Sequence, residues 1–463
     1  MKICLVYPPS FKEKPGFLDI LFKELVGRQV PNLTYPYLAS YLLENSSHEV
    51  SIVDAKTLEL NPKQTIKRIK KERPDIVGLT GFTLNIKDAF SLAKLVKEEL
   101  NLPTIVGGPH VTFTDEISFK ECPYIDIIAR GEAEQTLVNI LDSLEKNKNL
   151  KNVSGISFKN NGHLKRTEDA KFIQNIDSVP FPAWELTPIK KSSFKSGYGM
   201  ILSSRGCPYK CIFCSSSLMC GKFWRAHSAK RVFDEIKYQV DEFKVKTIEI
   251  VDDNFILNKK RALEIAKMII NEKLDVKFHF DGRVDNVDRE LLSTLRKAGF
   301  KLIYYGIESA DQNILNYYQK GINVSQIVNA IKLAKECDMI VTAGIVFCHK
   351  DTRRSILKTL SLCLNLGVDF VSFALMIPLP GTPVYYMEKK KIFSYDWYKY
   401  DGTNVLMKPE NMSEVEMQFW QVFCSIALHL GPQAILKDPG MFKKLLKFSG
   451  KLIFDTVKEK INL

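Results

Sequence analysis

Long apolar runs, dense cysteine and internal repeats are all missing from this chain. No uninterrupted apolar stretch reaches the roughly 18 residues that a membrane-spanning helix needs. Ten cysteines among 463 residues are too sparse for the disulfide framework of a small secreted scaffold. The first residues lead straight into a strand-like segment, without the apolar core and cleavage site of a secretory signal. A reducing cytoplasm is therefore the expected location, and neighbouring thiols there hold metals more often than they pair. Self-similarity at solenoid periods and low-complexity tracts are also lacking. Hydrophobic residues, by contrast, make up 45% and charged residues 26%, which suits well-packed cores and excludes a disordered chain. The formal charge is +13. That excess fits either a solvated, lysine-rich surface or attraction to an anionic substrate, nucleic acid or membrane.

The length suggests two or three domains. Residues 1–145 alternate apolar runs (2–7, 49–54, 75–80, 104–107, 126–129) with helical patterns (35–44, 64–72, 87–99). This predicts an α/β, Rossmann-like doubly wound domain with ligand loops at the strand C-termini. Residues 146–195 read as a linker with a hairpin, 155–158 and 164–166 around Asn160-Asn161-Gly162, followed by the stiff Pro180-Phe181-Pro182. In residues 196–390 the alternation restarts, with strands at 200–203, 247–251, 277–281, 302–306, 341–347 and 370–376. Helices at 231–243, 260–272, 289–298, 324–336 and 354–366 lie between them. Six such units predict a partial (βα)6 parallel barrel that works at its strand C-termini. Residues 391–463 read as a helical C-terminal region. Ser413 and Glu416 suggest a capping box, and a second helix begins near Asp438-Pro439. It carries Lys443, Lys444, Lys447 and Lys451 beside Leu445, Leu446, Leu452 and Ile453. Such a basic amphipathic helix either lies on a membrane or packs its apolar stripe on the barrel.

The chemistry concentrates in Cys207-Pro208-Tyr209-Lys210-Cys211-Ile212-Phe213-Cys214, just after the first barrel strand. A loop of this length can turn three thiolates toward one face of an iron–sulfur cubane. Such clusters usually take four thiolates, so three leave one iron open for reaction. A zinc site is the alternative, with Cys220 or His227 as the fourth ligand.

The spacing resembles the CxxxCxΦC signature of the radical SAM superfamily. Segments that follow resemble the family in the same order: Val251-Asp252-Asp253-Asn254, Asp281-Gly282-Arg283, Tyr305-Gly306-Ile307-Glu308-Ser309 and Pro378-Leu379-Pro380-Gly381-Thr382-Pro383. The resemblance implies a [4Fe–4S] cluster on Cys207, Cys211 and Cys214, whose open iron binds S-adenosylmethionine. It also implies reductive cleavage to a 5′-deoxyadenosyl radical, fed by an electron donor such as ferredoxin or flavodoxin. Asp253, Arg283 and Glu308 are polar groups at strand C-termini, where the barrel would contact S-adenosylmethionine. The family's G-x-P-x-E-T turn after the fifth strand is replaced by Phe347-Cys348-His349-Lys350-Asp351-Thr352.

The first domain resembles the cobalamin-binding domain that precedes many radical SAM barrels, through Val6-Tyr7-Pro8-Pro9, Val106-Gly107-Gly108-Pro109-His110 and Arg130-Gly131-Glu132. Thr80, Gly107 and Gly108 end two of its strands with small residues that would let a corrin or nucleotide tail approach. The D-x-H-x-x-G motif is absent, which implies cobalamin without a histidine ligand, or no cofactor. The whole layout resembles the anaerobic magnesium-protoporphyrin monomethyl ester cyclase group. The expected activity is cobalamin-dependent C-methylation or cyclisation of a small-molecule or lipid substrate, with peripheral membrane contact through the C-terminal helix and no nucleic acid. An RNA-modifying methylthiotransferase and a non-catalytic cobalamin or redox sensor remain as alternatives.

Overall fold

The computed structural model describes residues 1–11, 32–160 and 162–429. The basic segment from Asp438 and the turn residue Asn161 lie outside them. Strands β1 (Lys2–Tyr7), β2 (Glu49–Asp54), β3 (Ile76–Thr80), β4 (Thr104–Gly107) and β5 (Ile127–Ala129) pair in parallel in the order 2-1-3-4-5. All five residues of β3 are buried, as expected for a strand covered by helices on both faces. The order reverses between β1 and β3, and ligands of open α/β sheets bind at such a switch point. The hairpin strands β6 (Ile156–Asn160) and β7 (His163–Arg166) add antiparallel to β5, so they extend this sheet to seven strands.

The second sheet runs β8 (Tyr198–Ile201), β11 (Thr247–Ile250), β12 (Lys277–Gly282), β13 (Phe300–Glu308), β14 (Ile340–Phe347) and β15 (Phe370–Leu375), all parallel and in chain order. Between β8 and β11 a two-stranded ribbon joins β9 (Ser204–Arg205) to β10 (Arg225–Ala226). The first barrel strand begins and ends two residues earlier than the apolar pattern predicts. Ser203 leaves the ladder because its N–H and Oγ both donate to the buried Asp252 carboxylate, each at 2.6 Å.

One face of each barrel strand is fully buried against the helices, with Ile248, Ile250, Phe278, Phe280, Ile303 and Tyr305 in one core. The sheet does not close. Its last edge, β15, is covered by the helix Glu414–His429, whose Gln421 Nε2 donates to Phe373 O at 2.9 Å and Gly402 O at 2.8 Å. Ser413 caps that helix as expected, accepting from Glu416 N at 3.1 Å. The Glu416 side chain, however, pairs with Arg353.

The two sheets are joined by charged residues. Arg205 Nη2 meets Glu134 Oε1 at 2.7 Å, and Arg225 makes a two-pronged pair with Glu132 at 2.9 and 2.5 Å. All four side chains are at most 9% exposed. On the other flank the segment after β15 returns to the first sheet. Trp397 Nε1 donates to Glu121, Lys87 pairs with Asp396 at 2.7 Å and Tyr398 donates to Asp88 at 2.7 Å.

Candidate functional site

Cys207, Cys211 and Cys214 lie on the loop between β9 and the short helix Ser216–Met219, all free and partly buried. The loop starts with Gly206 at φ +84°, where an added Cβ would stand 2.4 Å from Phe223 O. Only glycine turns the chain there without strain. Three contacts seat the loop on the barrel: Ile212 N donates to Tyr318 O at 3.0 Å, Val384 N donates to Ile212 O at 3.0 Å, and the Phe213 ring packs edge-on against Tyr318. The aromatic residue before the third cysteine thus anchors the loop in the small core of Ile212, Ile314, Val384 and Tyr385.

Ligand atoms of a tetrahedral zinc site lie roughly 4 Å apart. Among the described residues, the only group of three His, Cys, Asp or Glu ligand atoms within 4.8 Å of one another is His48, Asp142 and Glu145. The three thiols are therefore not gathered with Cys220 or His227 into a zinc set. His227 Nδ1 faces Asp177 at 3.1 Å, and burial pushes the Cys220 thiol up to about 12.

Two cations border the loop. Arg283, predicted to contact S-adenosylmethionine, lies 3.5 Å over the Tyr209 ring, pairs with Asp285 at 3.0 Å and donates to Lys320 O at 2.8 Å. Lys320, which the sequence did not single out, is buried and pairs with Glu308 at 2.7 Å. Glu308 holds φ +64° at an irregularity between β13 and β14, a left-handed conformation uncommon outside glycine and concentrated at functional sites. Burial raises the Cys211 thiol, while Lys320 and Arg283 pull it the other way by favouring the thiolate.

The segment ending β11 divides its tasks. Asp252 is consumed in holding Ser203 and Ser204. Asp253 is exposed and bonds to Ser216 and to the Gly206 backbone beside Cys207. Asn254 is buried, donates to Asn286 Oδ1 at 2.8 Å and keeps its own Oδ1 without a hydrogen-bond partner.

The inner face of the barrel carries a second group that sequence reading passed over. Tyr198 donates to Glu249, His279 Nδ1 lies 3.6 Å from the same carboxylate, and Tyr304 stands level with Asp281 on the next strand. Gly344 leaves room for Tyr304, whose Oη would be 2.0 Å from an added Cβ. Burial beside Glu249, Asp252 and Asp253 pushes the Asp281 carboxyl up to about 7. An unfolded aspartate ionises near pH 4, so over the interval up to about 7 the folded state holds more protons and stability falls as pH rises. Asp281→Asn is expected to match the parent below about pH 4 and to be more stable by a few kcal/mol above about pH 7. Parallel thermal melts across that range check this, and superimposable differences at both ends would refute it.

In the first sheet, Thr80, Gly107 and Gly108 do come together at the ends of β3 and β4. Thr80 Oγ1 donates to Gly107 O at 3.5 Å, and a Cβ on Gly108 would stand 2.7 Å from Gly81 O. Packing between the two loops therefore already demands a glycine at 108. At Gly107 an added Cβ would meet nothing closer than Ala129 O at 3.6 Å, so its face is bare backbone. His110 is buried between Phe90 and Trp397, its Nδ1 3.2 Å from Thr83 Oγ1 and its Nε2 unpartnered. Burial lowers it to about 4, so it is neutral near pH 7.

The family model described as the radical SAM superfamily matches residues 201–363, and that of the B12 binding domain matches residues 24–141. An uncharacterized methyltransferase of Pyrococcus horikoshii is 36% identical over 445 residues, 95% of this chain and 94% of that protein. This chain belongs to the radical SAM superfamily. Anaerobic magnesium-protoporphyrin IX monomethyl ester cyclase of Cereibacter sphaeroides is 29% identical over 82% of the radical SAM chain and 64% of its own. The cobalamin-dependent S-adenosylmethionine radical enzyme OxsB shares the fold, with a TM-score of 0.75 at 21% identity over 97% of this chain and 70% of that one. The radical SAM match implies a [4Fe–4S] cluster and S-adenosylmethionine, and the B12 binding match supports cobalamin. The residues of the chain fit them: three free thiols beside two cations suit the cluster, and the buried, unpaired acceptor of Asn254 suits a donor on S-adenosylmethionine. The bare backbone of Gly107, at the end of β4 beside Thr80 of β3, suits a close-lying corrin or its tail. His110, enclosed by aromatic rings, does not reach out as a cobalt ligand.

Proposed function

We propose that this enzyme anchors its cluster on Cys207, Cys211 and Cys214 and carries out cobalamin-dependent C-methylation or cyclisation of a small-molecule or lipid substrate. The observation that carries this reading is the placement of one thiol loop between two units. It rests on the barrel's C-terminal rim and is tied through Arg205 and Arg225 to the B12-type domain. Once bound, the cofactors supply a 5′-deoxyadenosyl radical that abstracts hydrogen and a methyl group for the carbon left behind. The chain's own part is to place and shield these groups. Three thiolates hold three irons and leave the fourth open. Asn254, Asp253 and Glu308 offer acceptors at the rim, and Thr80, Gly107 and Gly108 line the crevice of the first sheet. Tyr304, Asp281 and His279 meet the substrate on the inner wall. That wall carries carboxylates, which works against a polyanion and hence against the RNA-modifying reading. The electron comes from a ferredoxin- or flavodoxin-type donor.

Anaerobic reconstitution with iron, sulfide and hydroxocobalamin tests this. The expected result is about four irons per chain, a co-eluting corrin band, and 5′-deoxyadenosine on reduction with S-adenosylmethionine. A cluster without corrin would overturn methyl transfer. Corrin and cluster without any 5′-deoxyadenosine would favour the sensor.

A further inference from the structure

Between the barrel's last strand and its return to the first sheet, the chain turns large apolar side chains outward. Tyr386 is 61% exposed, Met387 57%, Phe393 51% and Tyr395 45%. The segment is well anchored. Thr382 caps the helix Pro383–Met387, and Val384 and Tyr385 are buried against Ile212 of the cysteine loop. Ile392 bridges to Met407, Lys408 N donates to Lys391 O at 2.9 Å, and Trp397 and Tyr400 pack into the first unit.

Along this segment the unpaired charge is one-sided, although Glu121 of the first unit stands beside Trp397. From residue 383 to 399 the only carboxylates are Glu388, paired with Lys391 at 2.7 Å, and Asp396, paired with Lys87 at 2.7 Å. Lys389, Lys390 and Lys399 remain, all exposed. Exposed aromatic and aliphatic groups interleaved with lysine are the composition that partitions into the headgroup region of anionic bilayers. The helix Glu414–His429 also exposes apolar residues, Val415, Phe419 and Val422. It carries two glutamates and neither lysine nor arginine, so charge complementarity singles out the face of Tyr386 to Tyr395.

We propose that Tyr386, Met387, Phe393 and Tyr395, with Lys389, Lys390 and Lys399, form a docking surface for an anionic membrane at the rim of the cysteine loop. This rests on the functional reading above and narrows it: the site is presented to the bilayer, and the substrate is a membrane-resident lipid. The surface differs from the basic C-terminal segment expected from the sequence.

Flotation of the reconstituted full chain tests the proposal, with vesicles of phosphatidylcholine alone or with roughly a third phosphatidylglycerol. The chain is expected to float with the anionic vesicles only. The triple substitution Tyr386→Ser, Met387→Ser, Phe393→Ser and the double substitution Lys389→Glu, Lys390→Glu are each expected to weaken partition about ten-fold. Partition equal to the parent in both variants overturns the proposal, as does loss only with Lys443→Glu, Lys447→Glu in the tail. A parent chain that does not float overturns it too, as does a triple variant that merely converts a dimer to a monomer in sedimentation. Formation of 5′-deoxyadenosine in vesicle-free buffer is measured alongside. It should be unchanged in the variants, and its absence from the parent would count against the functional reading instead.

Discussion

Cys211→Ala is expected to strip the cluster iron and abolish 5′-deoxyadenosine formation while leaving the fold intact. Cys211 is the middle thiol of the loop, its carbonyl accepts from Cys214 N at 3.2 Å, and it is the thiol that Lys320 and Arg283 favour as a thiolate. Removing it leaves two local ligands where a cubane with one open iron needs three. The substitution removes no buried hydrogen bond of the loop, because Ile212, Phe213 and Gly206 seat it independently. Circular dichroism should therefore match the parent while iron and the charge-transfer absorption fall to background. Cys220→Ala serves as the contrast: it should keep the full iron content, since that thiol stands outside the set. Full iron in the Cys211 variant, or iron loss in the Cys220 variant, would show that the ligands have been misread.

Replacing Lys320 with methionine should both destabilise the protein and make the cluster harder to reduce. The ammonium is buried, and its partner Glu308 is only 6% exposed. Breaking such a pair from one side costs about 3–5 kcal/mol, because the remaining charge is left in a low-dielectric setting. Glu308 also holds a left-handed backbone, a strain of about 1–3 kcal/mol that the pair helps maintain. A lost positive charge beside Cys211 makes an added electron less welcome, so the midpoint potential must move downward. Thermal melts of the apoprotein read the first effect. A potentiometric titration followed by EPR, without S-adenosylmethionine, reads the second, and Lys320→Arg should restore most of both. An unchanged potential with weakened S-adenosylmethionine binding would mean that Lys320 contacts the nucleotide and does not tune the cluster.

Much of this was legible in the chain. Apolar runs placed β1 to β5 and β11 to β15 within a residue or two, because each strand buries at least one whole face against helices. The three cysteines stood out by their spacing, and the structure seats their loop on the barrel through Ile212 and Phe213. The inner wall was missed even though Glu249, His279 and Asp281 interrupt their strands at every second position. That alternation is itself the mark of a face turned away from the core. Lys320 carried no signal, since it belongs to a turn that meets the loop only in three dimensions. The pairs of Arg205 and Arg225 with Glu134 and Glu132 join residues some 70 to 90 positions apart. No local pattern encodes such partners. Asn254 carried no signal of its own beside Asp253, because its unpaired acceptor follows from the packing around it. Which of three adjacent polar residues keeps an open acceptor depends on Ser203 and Asn286.

The arginine–glutamate pairs also govern how this architecture can be recombined. A hybrid that takes its first domain from a relative and its barrel from this chain inherits one half of each pair. Unless the newcomer supplies carboxylates at the matching positions, two guanidinium groups at the foot of the cysteine loop are buried without counter-charge. The loop would then be disturbed from below even though every thiol is present. The two halves are therefore coupled at this seam, and a grafted domain should be tolerated only when both ends of each pair travel together.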